Sequence, residues 1–469
     1  MTEVVKSINS FLWGPPMMIL LVGFGVVSTI VLGFPQFRKL GYGLKETFGK
    51  IFSKKDKAKS GSMSSFQALA TAVAAQVGTG NIGGVAGAIV SGGPGAIFWM
   101  WVTAVFGMST IFVEAVLAQK YREKKDGELV GGPAYYLSKG LAGRNMKGLG
   151  RFLAVIFSIL IIIALGFVGN MVQSNSISSA VSEAFGAKPI IIGIIIAAVA
   201  AFIFIGGMKR IASFAEFVVP IMAAVYIIGS VVVLIKFGDH IGPVLSDIFR
   251  SAFAPRAIAG GVVGVTIKEA IRYGVARGLF SNEAGMGSTP NSHAAANVPH
   301  PGVQGTVAMV GVFIDTILVC SATALVVLAT GADKAGKAGV MITMEGFRVA
   351  FGDMGAKFLA IALIFFAFTT IVGWYYFGLS NIKYLFKSKA VRIIYPIIVL
   401  GFIIFGSVQK VDLVWELTDM FNGLMVIPNI IGLFVMLMEA RAIFKDFNYQ
   451  VKHNEILHFN YPDEGKYEE

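Results

Sequence analysis

Nine apolar runs, at about residues 15–34, 94–119, 151–174, 189–206, 211–236, 303–330, 356–380, 390–408 and 413–438, constrain this chain more than any other feature. A helix needs roughly 20 apolar residues to cross the hydrocarbon of a bilayer. Within that layer only helices and closed barrels pair every main-chain N–H and C=O. Runs of this length read as helices, so the expectation is an all-α polytopic membrane protein. Composition supports this. Of 469 residues, 55% are hydrophobic and 14% charged, with mean hydropathy +0.74, whereas a soluble domain is about 25% charged. The same figures exclude a disordered chain.

Two weaker segments complete the count. Residues 65–92 are rich in Ala and Gly; residues 258–298 carry Lys268, Glu269, Arg272, Arg277 and Glu283, which a lipid-facing helix does not tolerate. Loop charge shows that both cross. The stretch 35–63 holds eight basic residues (Arg38, Lys39, Lys45, Lys50, Lys54, Lys55, Lys57 and Lys59), and 120–151 holds eight more. Basic loops stay in the cytoplasm, so two crossings separate them, and 65–92 supplies one. Placing Lys383, Lys387, Lys389 and Arg392 inside likewise requires 258–298 to cross once. Eleven helices result, with the N-terminus outside and a polar, partly mobile cytoplasmic tail at 441–469. The net charge of +12 is thereby assigned to topology rather than to nucleic acid. The first residues lack the basic region and cleavage site of a removable signal. The single cysteine, Cys320, excludes an internal disulfide.

The weak segments carry the chemistry. The first centres on Ala74-Ala75-Gln76-Val77-Gly78-Thr79-Gly80-Asn81-Ile82-Gly83-Gly84, and the second on Gly278-Leu279-Phe280-Ser281-Asn282-Glu283-Ala284-Gly285-Met286-Gly287-Ser288. Each glycine costs a helix interior roughly 1 kcal/mol relative to alanine, so both helices are expected to break. With the first helix (1–63) set aside, the breaks open each of two five-helix halves, 64–237 and 238–440. Five is odd, so the halves run in opposite senses. This is the pattern of inverted repeats with discontinuous helices. Unwound backbone offers N–H groups to a carboxylate and carbonyl oxygens to a small cation.

The runs GTGNIGGVAGAIVSGGPGAIFWMWVTAVFGM (78–108), GGPAYYL (131–137), GNMVQSNS (169–176), FSNEAGMGS (280–288) and IPNIIGL (427–433) resemble the alanine/glycine:cation symporter family of the APC superfamily. The resemblance implies a fold like the bacterial leucine transporter, a 5+5 inverted-repeat core with one added N-terminal helix. It also implies Na+-coupled symport of small neutral amino acids into a prokaryotic cell across its plasma membrane. On that pattern the substrate would meet Thr79, Gly80 and Asn81, with Gln173 at its polar end, Phe280, Ser281 and Asn282 opposite, Trp374 limiting size and Phe167 as a gate. Na+ would take carbonyls of Ala74, Val77 and Phe366 with the hydroxyls of Thr369 and Thr370, an oxygen set suited to a hard cation. The fifth core helix, 211–235, lacks the Lys that takes this place in some proton-driven relatives. Glutamine or a broader range of neutral amino acids, and proton in place of Na+ coupling, are the alternatives.

Plainer readings compete. Gly78-x-Gly80-x-x-Gly83 matches a dinucleotide fingerprint but lacks its βαβ context, and Gly331…Gly336-Lys337 lacks the Ser/Thr of a P-loop. Glycines can serve helix packing, and Gln173 can bridge helices. Thr369 and Thr370 can bond to their own helix. Glu114 and Asp315 are intramembrane carboxylates; a basic partner is expected for Glu114, and a coupling role stays open for Asp315. The five histidines show no metal spacing. An intramembrane enzyme would need a nucleophile–base pair or HExxH, neither of which occurs. A channel or sensor on the same scaffold would conduct or bind without coupled accumulation. No protein partner is inferred.

Overall fold

The computed structural model describes residues 2–49, 60–254 and 266–461. It is helical apart from one hairpin, β1 (Glu123–Lys125) with β2 (Glu128–Val130). The helices begin with α1 (Thr2–Leu12), α2 (Pro15–Leu32) and α3 (Pro35–Phe48), followed by α4 (Ser65–Gln76), a π turn at Gly80–Gly84 and α5 (Val85–Gly92). Next come α6 (Gly95–Lys120) and α7 (Pro133–Ala142). A long rod follows, α8 (Lys147–Ile161) and α9 (Asn170–Phe185), with a π segment at Ile162–Gly169 between them. Then come α10 (Pro189–Ile205), α11 (Gly207–Lys236), α12 (Gly238–Phe253), α13 (Ile267–Asn282) and α14 (Pro290–Ala294). A second π-interrupted rod joins α15 (Pro301–Val312) to α16 (Ser321–Thr330) through Phe313–Cys320. The chain continues with α17 (Val340–Phe351), α18 (Asp353–Leu385), α19 (Lys389–Ser407) and α20 (Val411–Lys452).

Local chemistry sets the boundaries. α2 opens on Pro15 and Pro16, where a missing N–H is harmless, and closes on Gly33 at φ 69°, which ties its N–H to Ile30 and Thr29. α4 and α13 each start with a capping box, Ser64 with Gln67 and Thr266 with Glu269. Among the described residues, eight helical spans are long and apolar enough to cross a membrane. The pair Ser65–Gln76 and Gly80–Gly92, bent by 48°, makes a ninth, and the apolar Pro189–Ile205 is shorter. The chain is thus a multi-pass membrane protein. Each of the eleven sequence segments carries helix, although the 258–265 part of one lies outside the described residues, as do Lys50, Lys54, Lys55, Lys57 and Lys59.

Residues 441–452 continue α20 and bury Phe444 and Phe447, and residues 453–461 fold back onto the body, burying Tyr461. Residues 462–469 lie outside the description. At this end the hairpin is strapped down by Lys139–Glu123 at 2.8 Å, Arg392–Asp126 at 2.5 Å and Lys383–Glu128.

Candidate substrate and ion site

Both breaks lie side by side in the core, among residues with almost no accessible surface. In an unbroken helix Ala74 O would accept from Gly78 N, and Val77 O from Asn81 N. Instead Gly78 N donates to Asn81 Oδ1 at 2.8 Å and Asn81 N to Gly78 O at 3.3 Å, with Val77 at φ −84° and ψ 90°. Two carbonyls therefore lose their helical donors. The hydroxyl of Thr370 on α18 fills the gap, 3.0 Å from Ala74 O, 3.4 Å from Val77 O and 3.0 Å from Phe366 O. One hydroxyl carries one proton, so it satisfies one carbonyl at a time and leaves a cluster rich in lone pairs. A Cβ on Gly78 would collide with Thr370 Oγ1 and lie 3.1 Å from Gln173 Oε1, so only glycine lets α18 approach this closely. Thr369 faces elsewhere: its Oγ1 donates to Phe366 O at 2.9 Å and lies 3.5 Å from Met222 Sδ.

Next to the oxygen cluster, Thr79 N donates to Gln173 Oε1 at 3.2 Å. Thr79 Oγ1 and Gln173 Nε2 are buried and, among the described residues, unpartnered. A buried polar atom without a partner costs about 1–3 kcal/mol, so these two atoms are free to bind a polar ligand. The surrounding walls are aromatic. Phe280 packs where Gly80 would carry a Cβ, at 2.8 Å, and the Trp374 indole does the same at Gly169, at 2.6 Å. The two rings meet edge to face, with centroids 6.0 Å apart. Asn81 Nδ2 donates to Asp315 Oδ1 at 2.5 Å, Ser281 Oγ to Asp315 Oδ2 at 2.8 Å and Asn282 Nδ2 to Thr316 Oγ1 at 3.2 Å. Gln76 Nε2, donating to Asn282 O at 2.6 Å, ties one break to the other.

Phe167 does not join this cluster; it stacks on Phe402 of α19 at 5.0 Å and lies against Tyr395. Glu114 also differs from expectation. Its carboxylate accepts Gly285 N at 3.0 Å, Gly287 N at 2.9 Å and Asn429 Nδ2 at 2.7 Å, and Asn429 in turn is bonded by Tyr136. Gly285 and Gly287 have φ of +89° and +80°, so their N–H groups point out of any helix and need an acceptor. An anion gives them a charge-assisted one. Glu283, itself at φ 57°, accepts Trp374 Nε1 at 2.6 Å and Ser288 Oγ at 2.5 Å. Asn429 lies within the IPNIIGL run, which was the only sequence signal for it.

On one side the site is roofed by Phe280 against Trp415, with centroids 5.1 Å apart, and by Arg277 bonded through both amino groups to Asp419 at 2.8 and 2.7 Å. Above them opens a cavity of about 310 Å³ lined by Gly83, Gly87, Arg277 and Asp419. Asp419 of α20 is thus the acid that pairs with Arg277 of α13.

Interrupted helices whose freed carbonyls and unpartnered polar atoms meet at mid-bundle, beneath a closed roof, define an ion-coupled secondary transporter. Comparison with known proteins then narrows the class: residues 1–461 match the sodium:alanine symporter family, and the chain belongs to it. It is 44% identical to the sodium/alanine symporter AgcS of Methanococcus maripaludis, over 97% of this chain and 98% of that protein. It is 41% identical to the "Probable sodium/glutamine symporter GlnT" of Bacillus subtilis, covering 96% and 91%, and 38% identical to the amino-acid carrier protein AlsT of the same organism, covering 96% and 93%. As a member, the chain is a membrane symporter of a small amino acid and Na+, not an enzyme.

Proposed function

We propose that this chain carries alanine or glycine into the cell together with Na+ by alternating access. The observation that carries this reading is the meeting of Thr370 Oγ1 with the Ala74 and Val77 carbonyls, with the unpartnered Thr79 Oγ1 two residues along from Val77. Na+ is assigned to Ala74, Val77, Phe366 and Thr370, with Thr369 able to turn toward it by rotating about χ1. The amino acid is assigned to Thr79, Gly80 and Gln173, with Asn81, Ser281 and Asn282 holding the breaks in shape and Phe280 and Trp374 bounding its side chain. Eleven crossings are proposed, an added helix within 1–63 and two inverted five-helix repeats, 64–237 and 238–440, as in leucine-transporter-like folds. Loop charge places the N-terminus outside and residues 441–469 in the cytoplasm of a prokaryotic cell.

Purified protein in liposomes is expected to accumulate labelled alanine only under an inward Na+ gradient. Absence of gradient-driven accumulation of any neutral amino acid overturns the reading. A glutamine substrate is the second reading, favoured by the name of GlnT at 41% identity. The packing of Phe280 on Gly80 and of Trp374 on Gly169 favours the smaller ligand, so excess glutamine is expected to leave alanine uptake unchanged.

A further inference from the structure

Residues 457–461 are not accounted for by the ion or substrate site, yet they touch the end of the molecule through which substrate would leave. The segment is clasped to α20 by a reciprocal pair, His458 N to Gln450 Oε1 at 2.9 Å and Gln450 Nε2 to His458 O at 3.0 Å. Phe459 packs against the His300 ring, with centroids 5.3 Å apart. Burial pushes the His300 imidazole pKa down against the pull of the nearby Asp446. Tyr461, 5% exposed, has its hydroxyl 3.0 Å from Val298 O and 3.3 Å from Gln119 Oε1, donating its one proton to either, and the Arg122 guanidinium lies over its ring at 3.8 Å.

The segment that Tyr461 grips is the one that pins α4. Met63 N donates to Ala295 O at 2.8 Å, and Asn297 N to Met63 O at 2.9 Å. From the opposite side Gln119 and Arg122 both donate to Ala296 O, at 3.0 and 2.8 Å. Residues 295–298 are thus sandwiched between the start of α4, the lower half of the broken helix, and a triad of Gln119, Arg122 and Tyr461. Met63 lies two residues before α4, so any movement of α4 away from this end would strain its pairing with 295–298. The contacts of Tyr461 are a neutral hydrogen bond and a ring–cation contact, individually weak and reversible, as a device that must release on each cycle requires.

We propose that residues 457–461 are a latch on the inner gate: Tyr461, braced by Arg122, keeps 295–298 paired with Met63 while the inward path is shut, and lifts before α4 can separate. The proposal rests on the alternating-access reading above, but its first test needs no substrate. Hydrogen exchange is measured by mass spectrometry on wild type, Tyr461→Ala and Tyr461→Phe. The alanine variant is expected to raise exchange about tenfold in peptides covering 60–76 and 290–300 and nowhere else. The phenylalanine variant, which keeps the ring over Arg122 and loses the hydroxyl's hydrogen bond, should fall between. In liposomes the alanine variant should keep alanine exchange while losing at least half of its Na+-driven accumulation. Unchanged exchange at 60–76 and 290–300, exchange rising throughout the chain, or normal accumulation alongside local loosening each overturns the latch. If wild type itself accumulates no neutral amino acid, the transport reading fails, whereas the hydrogen-exchange comparison still reports on the contact.

Discussion

In the proposed ion site Thr370 is the residue on which coupling would turn, because its hydroxyl reaches across from α18 to the two carbonyls that the first break releases. Its neighbour carries the same group one position along, yet Thr369 Oγ1 is directed at its own helix and at Met222. Replacing a hydroxyl by a methyl at constant shape separates the two. Thr370→Val removes an oxygen from the cluster and leaves buried carbonyls short of a partner, a loss of about 2 kcal/mol, or roughly 30-fold in apparent Na+ affinity. Thr369→Val removes a bond internal to its helix and is expected to shift Na+ affinity by less than about threefold. Na+ titrations of alanine binding to the purified variants measure both. Equal losses at the two positions would mean that Thr369 turns its hydroxyl to the ion, and no loss at Thr370 would remove the assigned site.

At the scale of elements, the two breaks are stabilised differently. The first is held by a side chain within itself, Asn81 onto Gly78 N, and the second by a side chain from another helix, Glu114 onto Gly285 N and Gly287 N. Glu114→Gln keeps size but presents an amide whose NH2 faces donors, so one of the two N–H groups loses its acceptor. A destabilisation of about 2–3 kcal/mol follows, read as a fall in the thermal midpoint and as weaker alanine binding, because Asn282 borders the same break. A variant with wild-type midpoint and binding would show that the clamp is dispensable. These elements also show what was legible beforehand. Glycine clusters at 78–84 and 285–287 announced both breaks, because glycine acts through local backbone energetics that sequence displays directly. Thr370 and Gln173 came from resemblance and landed beside the break. Glu114 was expected to have a basic partner and Asp419 carried no sequence signal, because their partners lie 171 and 142 residues away, beyond any periodicity. Phe167 was misplaced because an apolar run does not reveal which face of a helix meets which neighbour.

At the scale of the whole molecule, the proposed ion and substrate sites share one short piece of backbone, Val77-Gly78-Thr79, which would offer a carbonyl to one and an unpartnered hydroxyl to the other. Occupying either site fixes the same dihedrals, so the second ligand finds them already set. Binding linkage makes that coupling reciprocal: the factor by which Na+ tightens alanine equals the factor by which alanine tightens Na+. Couplings of this type amount to about 1–3 kcal/mol. A ligand at 100 times its Kd stabilises the folded state by about 2.7 kcal/mol, so each ligand alone should raise the thermal midpoint, and the two together should raise it by more than the sum. Thr370→Val is expected to reduce the combined shift to simple addition, because it uncouples α18 from the shared backbone while leaving Thr79 and Gln173 in place. Calorimetric titrations in both orders, Na+ into alanine-saturated protein and alanine into Na+-saturated protein, give the two factors separately. Equal factors above one are expected; factors of one in both orders would mean that the shared backbone transmits nothing between the two proposed sites.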